Sequence, residues 1–537
     1  MLRLAMICSL TLALSTSFAS QIGKRLAQQS RVPVSGVVMN EPELDLRIPQ
    51  TPYDDYGPNV KMNQDATTRR QNEITMCAWV QNPNIVMGGS NDYRNGDASG
   101  GFYVSTDGGA TYFDALVTRG PAGVFEAAGD PVTAIAYDGT LFANYICFDR
   151  TTEDGGLYVQ SSTDNGATWS APLVIAEHIG NPTPDFEDKP YACADIVPTS
   201  PYVNTHYVSW TRFYWLGGSP IYFSRSTGGV NPYSAPLRIS TSDGCQFSCP
   251  CTGPNGEVYV VWFDYYTGMI QLDRSFDGGV TFGADLNVAP FNDVWGIPNP
   301  CGTFRTPCYP VITCDLSDGP RRGWLYLSWA SDNGNDPDVW LSTSSDGGTT
   351  WTAPVIVHST TDSWQWWQWI AVNPESGDLG IAWLDRRDDV NDCLYRPYAT
   401  ISQDGGVTFA PEFPISTVMC DPTITNFLGD YNGAAFRHNN SFYYGWVDTR
   451  NDVGDAYSTW FRLAPPAPQN LVVIRDGDDA RLHWNSVEAA TYEVYRSATP
   501  GGPFATLVAA TPDTFLLDLN AVTDADERFY QVTAVED

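Results

Sequence analysis

Past residue 70 the chain is a succession of short apolar runs, many alternating with polar residues, separated by Gly, Pro, Asn and Asp. Helix-periodic apolar stretches are absent beyond the N-terminus, so the pattern predicts strands throughout. One turn sequence recurs between the runs. It reads Ser-x-Asp-x-Gly-x-Thr and closes on an aromatic residue, as in Ser344 to Trp351. Close copies lie at 105–112, 162–169, 275–282 and 402–409, and a worn copy at 226–233. Asp-Gly between two strand runs is a tight-turn signal, because Gly supplies positive φ and Asp bonds the backbone that follows. Each copy therefore predicts a hairpin clasp, with its closing aromatic packed under the turn.

The clasp recurs about every 50 to 70 residues, the period of a blade in a β-propeller or similar array. Each unit lays out as four strands. In the first these are 74–80, 84–90, 101–104 and, after the clasp, 115–117. Seven second strands can be read: 85–89, 141–146, 207–210, 258–262, 325–329, 379–383 and 442–446. The seventh unit has a third strand, 456–461, but no clasp and no fourth strand. A strand around Val60 stands free at the other end. The expected fold is all-β: a propeller of seven blades, with six as the alternative, in which residues 59–64 complete the last blade and remove the open sheet edges. After a Pro-rich linker at 465–468, strands at 471–474, 482–484, 492–496, 515–517 and 529–534 predict a small β-sandwich over 469–537.

Composition adds the address. Arg3, the apolar run Leu4 to Leu14 and Ser17-Phe18-Ala19 form a secretory signal peptide over 1–19, followed by an extended leader over 20–58. Secretion is therefore expected, with no membrane insertion. The net charge of −33 excludes nucleic acid as a partner. Of 12 cysteines, Cys8 falls in the signal, leaving an odd number. Cys301 with Cys308, and Cys393 with Cys420, are the loop-closing pairs suggested, although pairing does not follow from sequence. Cys249-Pro250-Cys251 fits zinc spacing only loosely, and no His lies near it. No metal site and no cofactor are expected, save that the acidic run from Asp332 to Asp336 suits a structural calcium ion as well as it suits a solvated turn. No nucleotide loop, HExxH helix or serine elbow occurs.

The clasp resembles the Asp-box, or bacterial neuraminidase repeat, of sialidase-like propellers, and the resemblance covers 59–464. The segments Glu187-Asp188-Lys189-Pro190, Trp383 to Arg387 and Gly429 to Gly433 resemble secreted bacterial propellers of exo-α-sialidase type. Leu482-x-Trp484, Tyr492 to Arg496 and Tyr530-x-Val532-x-Ala534 resemble a fibronectin type III domain. The chain stops at Asp537, before the last strand of that fold, so an incomplete sandwich is expected.

The sialidase resemblance implies an exo-acting glycoside hydrolase on extracellular glycans or glycoproteins. It implies three Arg clamping the substrate carboxylate, a Tyr nucleophile activated by Glu, and an Asp as acid/base. The family's first Arg lies in a Phe/Tyr-Arg-Ile-Pro motif. Leu46-Arg47-Ile48-Pro49 has its last three letters but lies in the leader. Propellers of this type bind ligands on the face formed by the loops into each inner strand and after each second strand, and the clasps fall on the opposite face. Glu73, Asp130, Glu187, Asp188, Arg305, Asp430 and Tyr431 lie in or beside the first group of loops. Tyr431 beside Asp430, with Glu187 across the channel, is the candidate catalytic set. Arg305, Arg387 and Arg450 are the candidate anion clamp, and Trp364 the candidate stacking platform for a sugar ring. The competing reading makes Asp385-Arg386-Arg387 and Asp448-Thr449-Arg450 ion pairs that tie neighbouring blades, and makes the whole a non-catalytic glycan- or protein-binding propeller.

Overall fold

The computed structural model describes residues 53–535 apart from short segments, the longest being 298–303, 464–470, 486–490, 498–503 and 522–528. The signal segment, most of the leader including Arg47, and Cys301 lie outside the described residues.

The described residues are nearly all strand and turn. Six sheets have four antiparallel strands each in sequence order, beginning with innermost strands Gln71–Ala78, Ala127–Ile135, Phe186–Ala194, Cys245–Thr252, Val311–Cys314 and Gln365–Val372. A further sheet is built on Gly433–Phe436, Phe442–Asp448 and Asp455–Leu463. All seven second strands lie where the apolar runs predict them. These strands are buried almost throughout, with Trp210, Trp262, Trp329, Trp383 and Trp446 fully enclosed and the small residues Gly88 and Gly89 in the first. Successive innermost strands pack on one another, and Gly433–Phe436 packs on Gln71–Ala78. This is a propeller-like arrangement.

The outer edge of the last sheet is completed from the N-terminus. Val60–Lys61 pairs with Tyr457 and Ser458, as the sequence predicts. Tyr53–Tyr56 pairs with 461–463 as well, although its polar Tyr-Asp-Asp-Tyr sequence reads as leader. The unpaired rim of Asp455–Leu463 selects that strand through backbone hydrogen bonds, which apolar patterning does not report.

The clasps are built as expected from their polar atoms. In the copy at 344–351, Ser344 Oγ donates to Asp346 at 2.8 Å and accepts from Gly348 N at 2.9 Å. Asp346 accepts from Thr350 N at 2.9 Å and from Thr350 Oγ1 at 2.6 Å. The same bonds recur at 105–111, 162–168, 275–281 and 402–408. The clasp is more than a hairpin lock, however. A Cβ on Gly348 would stand 2.3 Å from Leu272 of the preceding sheet, and one on Gly109 would stand 2.9 Å from Tyr443 of the last sheet. The closing aromatics serve both sides: Trp351 Nε1 donates to Gly348 O of its own turn at 3.2 Å, while Phe282 reaches back to lie edge-on to Phe223 at 4.8 Å and Trp169 stands 6.1 Å from Phe102. Each clasp thus spaces its sheet against the one before.

Two three-stranded sheets follow, Val472–Asp476 with Asp479–His483 and Phe515–Asp518, and Thr506–Thr511 with Thr491–Ser497 and Phe529–Val535. Leu482, Trp484, Tyr492 and Val494 fill the space between them. The strand Thr506–Thr511 was not read from the sequence.

The suggested disulfides are not formed. Cys308 and Cys420 are free and buried, and Cys393 is disulfide-bonded but not to Cys420. Among the described residues no helix is long and apolar enough to cross a membrane.

Candidate functional site

The innermost strands share a defect. In five of them the register slips by bulging at one point, between Asn72 and Thr75, Gly129 and Val132, Asp188 and Tyr191, Gln246 and Cys249, and Trp366 and Trp369. Inside each bulge a residue other than Gly holds positive φ: Glu73 at 60°, Asp130 at 50°, Lys189 at 49°, Phe247 at 61° and Trp367 at 49°. Such backbone costs on the order of 1–3 kcal/mol per residue and persists where the surroundings enforce it. The bulges redirect Glu73, Asp130 and Lys189 from three sheets to one point, where Asp430 and Arg305 meet them.

Lys189 is the hub. Its Nζ lies 3.0 Å from Glu73 Oε1, 2.6 Å from Asp430 Oδ2 and 3.6 Å from Asp130 Oδ2. Arg305 forks onto Asp430, donating through Nε at 2.7 Å to Oδ1 and through its second arm to Oδ2. Asn91 donates to Glu73 Oε2 at 2.8 Å and accepts from Asp130 N at 2.8 Å. The Asp130 carboxylate stands near enough to Glu73 and Asp188 to disfavour charge on both. Glu73, Lys189 and Asp430 are buried, Asp188 is half-buried, and the Arg305 side chain is 37% exposed. The cluster therefore opens to solvent along Arg305 and Asp188.

The electrostatics follow from that packing. Burial, then the Asp130 carboxylate, lifts Asp188 to about 7. Burial pushes Glu73 far above the usual carboxylate range against the pull of Lys189. Burial also works on Asp430, but Lys189 and Arg305 outweigh it and hold the group below the usual range. Lys189 is held charged by the surrounding carboxylates in spite of its burial.

An aromatic floor lies among the same strands. Tyr191 stands 4.7 Å from Trp369, Tyr309 stands 5.3 Å from Tyr431, and Phe247 stands 4.6 Å from Tyr309, ring centre to ring centre. On the rim, Phe427 lies between two cations, 4.9 Å from the Arg305 guanidinium and 5.8 Å from that of Arg70. Arg70 also covers Tyr93 at 4.5 Å and lines an open pocket of about 460 Å³ with Thr423, Ile424, Thr425 and Val453.

Of the residues singled out from sequence, Glu73, Asp130, Asp188, Arg305, Asp430 and Tyr431 are brought together, whereas Glu187, Arg387, Arg450 and Trp364 are not among them. Glu187 is buried, ion-paired with Arg212 of its own sheet at 2.5 Å and in hydrogen-bond contact with His178 of the preceding sheet at 2.8 Å. The carboxylates that act on Tyr431 are instead Glu73 and Asp130. Burial, then those charges, pushes the Tyr431 phenol well up, and its hydroxyl donates to Pro131 O at 3.3 Å. Arg387 is committed to Asp385 and Glu412, both at 2.7 Å. Arg450 is committed to Asp448 at 2.7 Å and to Asn59 at 3.1 Å. These pairs tie the exit of a second strand to the outer part of its own sheet, and the clamp of three Arg does not form. The Asp-x-Arg spacing favours that local fork over a distant anion. Trp364 is half-buried against the core, and Trp366, Trp367 and Trp369 are buried.

The residue missed is Lys189. It is one of three lysines, with Lys24 and Lys61, among 29 Lys and Arg. A lysine inside an apolar strand of an Arg-rich chain was the available signal. Among the described residues no group of three or more His, Cys, Asp or Glu is arranged to hold a metal ion.

No protein-family model matches the chain, and no curated protein matches it. Among solved structures it is similar to the Hadza microbial sialidase Hz136, at 15% identity and a TM-score of 0.43 over 58% of this chain and 63% of that one, under two thirds of the sialidase. It is similar to a protein of unknown function from Dyadobacter fermentans, at 14% identity and a TM-score of 0.42 over 76% and 98%. It is similar to the α-L-arabinofuranosidase Arb93A from Fusarium graminearum, at 11% identity and a TM-score of 0.39 over 76% and 98%. No residue role is taken from these likenesses.

Proposed function

We propose that the chain is a secreted, seven-bladed propeller of Asp-box type, closed by residues 53–61, that works as an exo-acting glycoside hydrolase on extracellular glycans, with a fibronectin type III-like unit after it. Closure is supported by the packing of Gly433–Phe436 on Gln71–Ala78 and of the first clasp on Tyr443. The observation that carries the activity is the meeting of Glu73, Asp130, Asp188, Asp430, Lys189 and Arg305 at one half-open point.

Glu73 and Asp188 are both pushed toward the neutral acid, so the point holds a protonated carboxyl beside the charged Asp430, Lys189 and Arg305. Asp188 is the proton donor: at neutral pH it exchanges its proton readily, and it is half-open to solvent. The neighbouring Asp130 carboxylate is one of the charges that keep the proton on Asp188. Arg305 is the cation left for a substrate's anionic or hydroxyl group. The pairing of Lys189 with three other sheets favours a second reading, a binding propeller whose cluster holds the ring together.

Fluorogenic glycosides, a sialoside among them, separate the two. Turnover that Asp188→Asn lowers by about 100-fold or more, with the fold intact, supports the hydrolase. Glycan binding without product on every substrate retires it in favour of the binding reading.

A further inference from the structure

The first sheet of the C-terminal unit has an unusual outer face. Ala480, Leu482 and Leu516 turn inward to the sandwich core. Cross-strand pairing then puts Val472 opposite His483, Ile474 opposite Arg481, Phe515 opposite His483 and Leu517 opposite Arg481, all on the other side. Val472, Ile474, Phe515 and Leu517 are each 43–54% exposed there. An antiparallel sheet with one solvated face normally alternates apolar in and polar out. Four large apolar side chains on the outer face are therefore a contact surface without its partner.

The chain supplies a candidate partner at close range. Tyr53 pairs with Leu463, the last residue described before the segment leading to Leu471. The leader and the C-terminal unit thus leave the propeller-like body from the same pair of residues. At about 3.4 Å per residue, Ile48 lies within roughly 17 Å of that pair along the chain, and Val472 within roughly 31 Å. Leu44, Leu46 and Ile48 alternate with Glu43, Asp45 and Arg47, the one strand-like apolar stripe ending so near Tyr53.

We propose that residues 44–48 lie against the outer face of the sheet formed by 472–476, 479–483 and 515–518, with Leu44, Leu46 and Ile48 covering Val472, Ile474, Phe515 and Leu517. The Leu-Arg-Ile-Pro sequence then serves as a strap that ties the C-terminal unit to the closing strand, and Arg47, on the polar side of the stripe, is not a substrate ligand.

Hydroxyl-radical footprinting of the chain from residue 20 onward tests this, because it reads side-chain exposure directly. Phe515 and Leu517 are expected to be oxidised several-fold more slowly in the parent than in the triple variant Leu44→Asp, Leu46→Asp, Ile48→Asp. Deletion of 20–49, which keeps Tyr53–Tyr56, should give the same increase. Equal oxidation in all three proteins overturns the proposal. So does protection that survives both changes and fades on dilution, which assigns the face to a second copy of the chain.

Discussion

Lys189 shows what one residue does in this molecule. Its ammonium stands between carboxylates from three other sheets with almost no access to water. Removing one partner of a buried charge pair costs about 3–5 kcal/mol, so Lys189→Met should lower unfolding stability by that order in urea titrations. Asp188 gives a signed pH dependence. Its pKa is raised on folding to about 7, so the folded chain holds an extra proton between the ordinary aspartate range and that value. The corresponding stability is present at low pH and lost as pH rises through the window. Asp188→Asn keeps the neutral form at every pH. The melting temperature of the variant minus that of the parent should therefore become more positive between about pH 4 and pH 8. A constant difference would contradict the raised pKa. The sequence put Glu73, Asp130, Asp188, Arg305 and Asp430 on the loops that lead into inner strands, and the structure gathers them. It hid their bulges, because positive φ on Glu, Asp, Lys, Phe or Trp carries no glycine to announce it.

At the scale of the element, the clasp joins local and long-range structure. Ser344 Oγ accepts the buried Gly348 N–H. Ser344→Ala leaves that donor unpaired and should cost about 1–3 kcal/mol. Gly406 tests the spacing role. Its φ is +86°, and a Cβ there would meet Leu341 Cδ2 of the preceding sheet at 2.5 Å. Gly406→Ala should cost about 2–4 kcal/mol in denaturant unfolding. Adding Leu341→Ala should cost less than the sum of the two single changes, since it opens the space the new methyl needs. Full additivity would mean that the clasp does not bear on its neighbour. The strands themselves are legible because turn chemistry and apolar runs agree in five of the seven units. The backward reach of the clasp was not, since no local pattern encodes which side of a turn faces the next sheet. Tyr53–Tyr56 escaped for a related reason: its register comes from an edge some 400 residues away.

For the whole molecule, the N-terminal strands should matter out of proportion to their length. Val60–Lys61 brings the fully buried Met62 and Asn63 into the seam, where Asn63 donates to Asp455 at 2.9 Å and accepts from Ala456 N at 3.0 Å. A chain lacking residues 20–64 should melt more than about 10 °C below the parent in a thermal scan. An unchanged melting temperature would mean that the seam is not closed by these strands.

The same seam sets an order of events. Tyr56 finds Phe461 only by closing a loop of about 400 residues, an entropic cost on the order of 5 kcal/mol. Synthesis delivers Tyr56 first and Phe461 near the end. Until then Gln71–Ala78 stands without the neighbour that Gly433–Phe436 provides, and the rim of the last sheet does not exist. Every earlier sheet can fold as it emerges, yet the N-terminal strands stay unpaired until Asp455–Leu463 is made. A chain stalled during synthesis would be caught with Tyr53–Tyr56 made and its partner edge in Asp455–Leu463 not yet there, so the exposure of both to wrong pairing is set by how quickly the end of the last sheet follows.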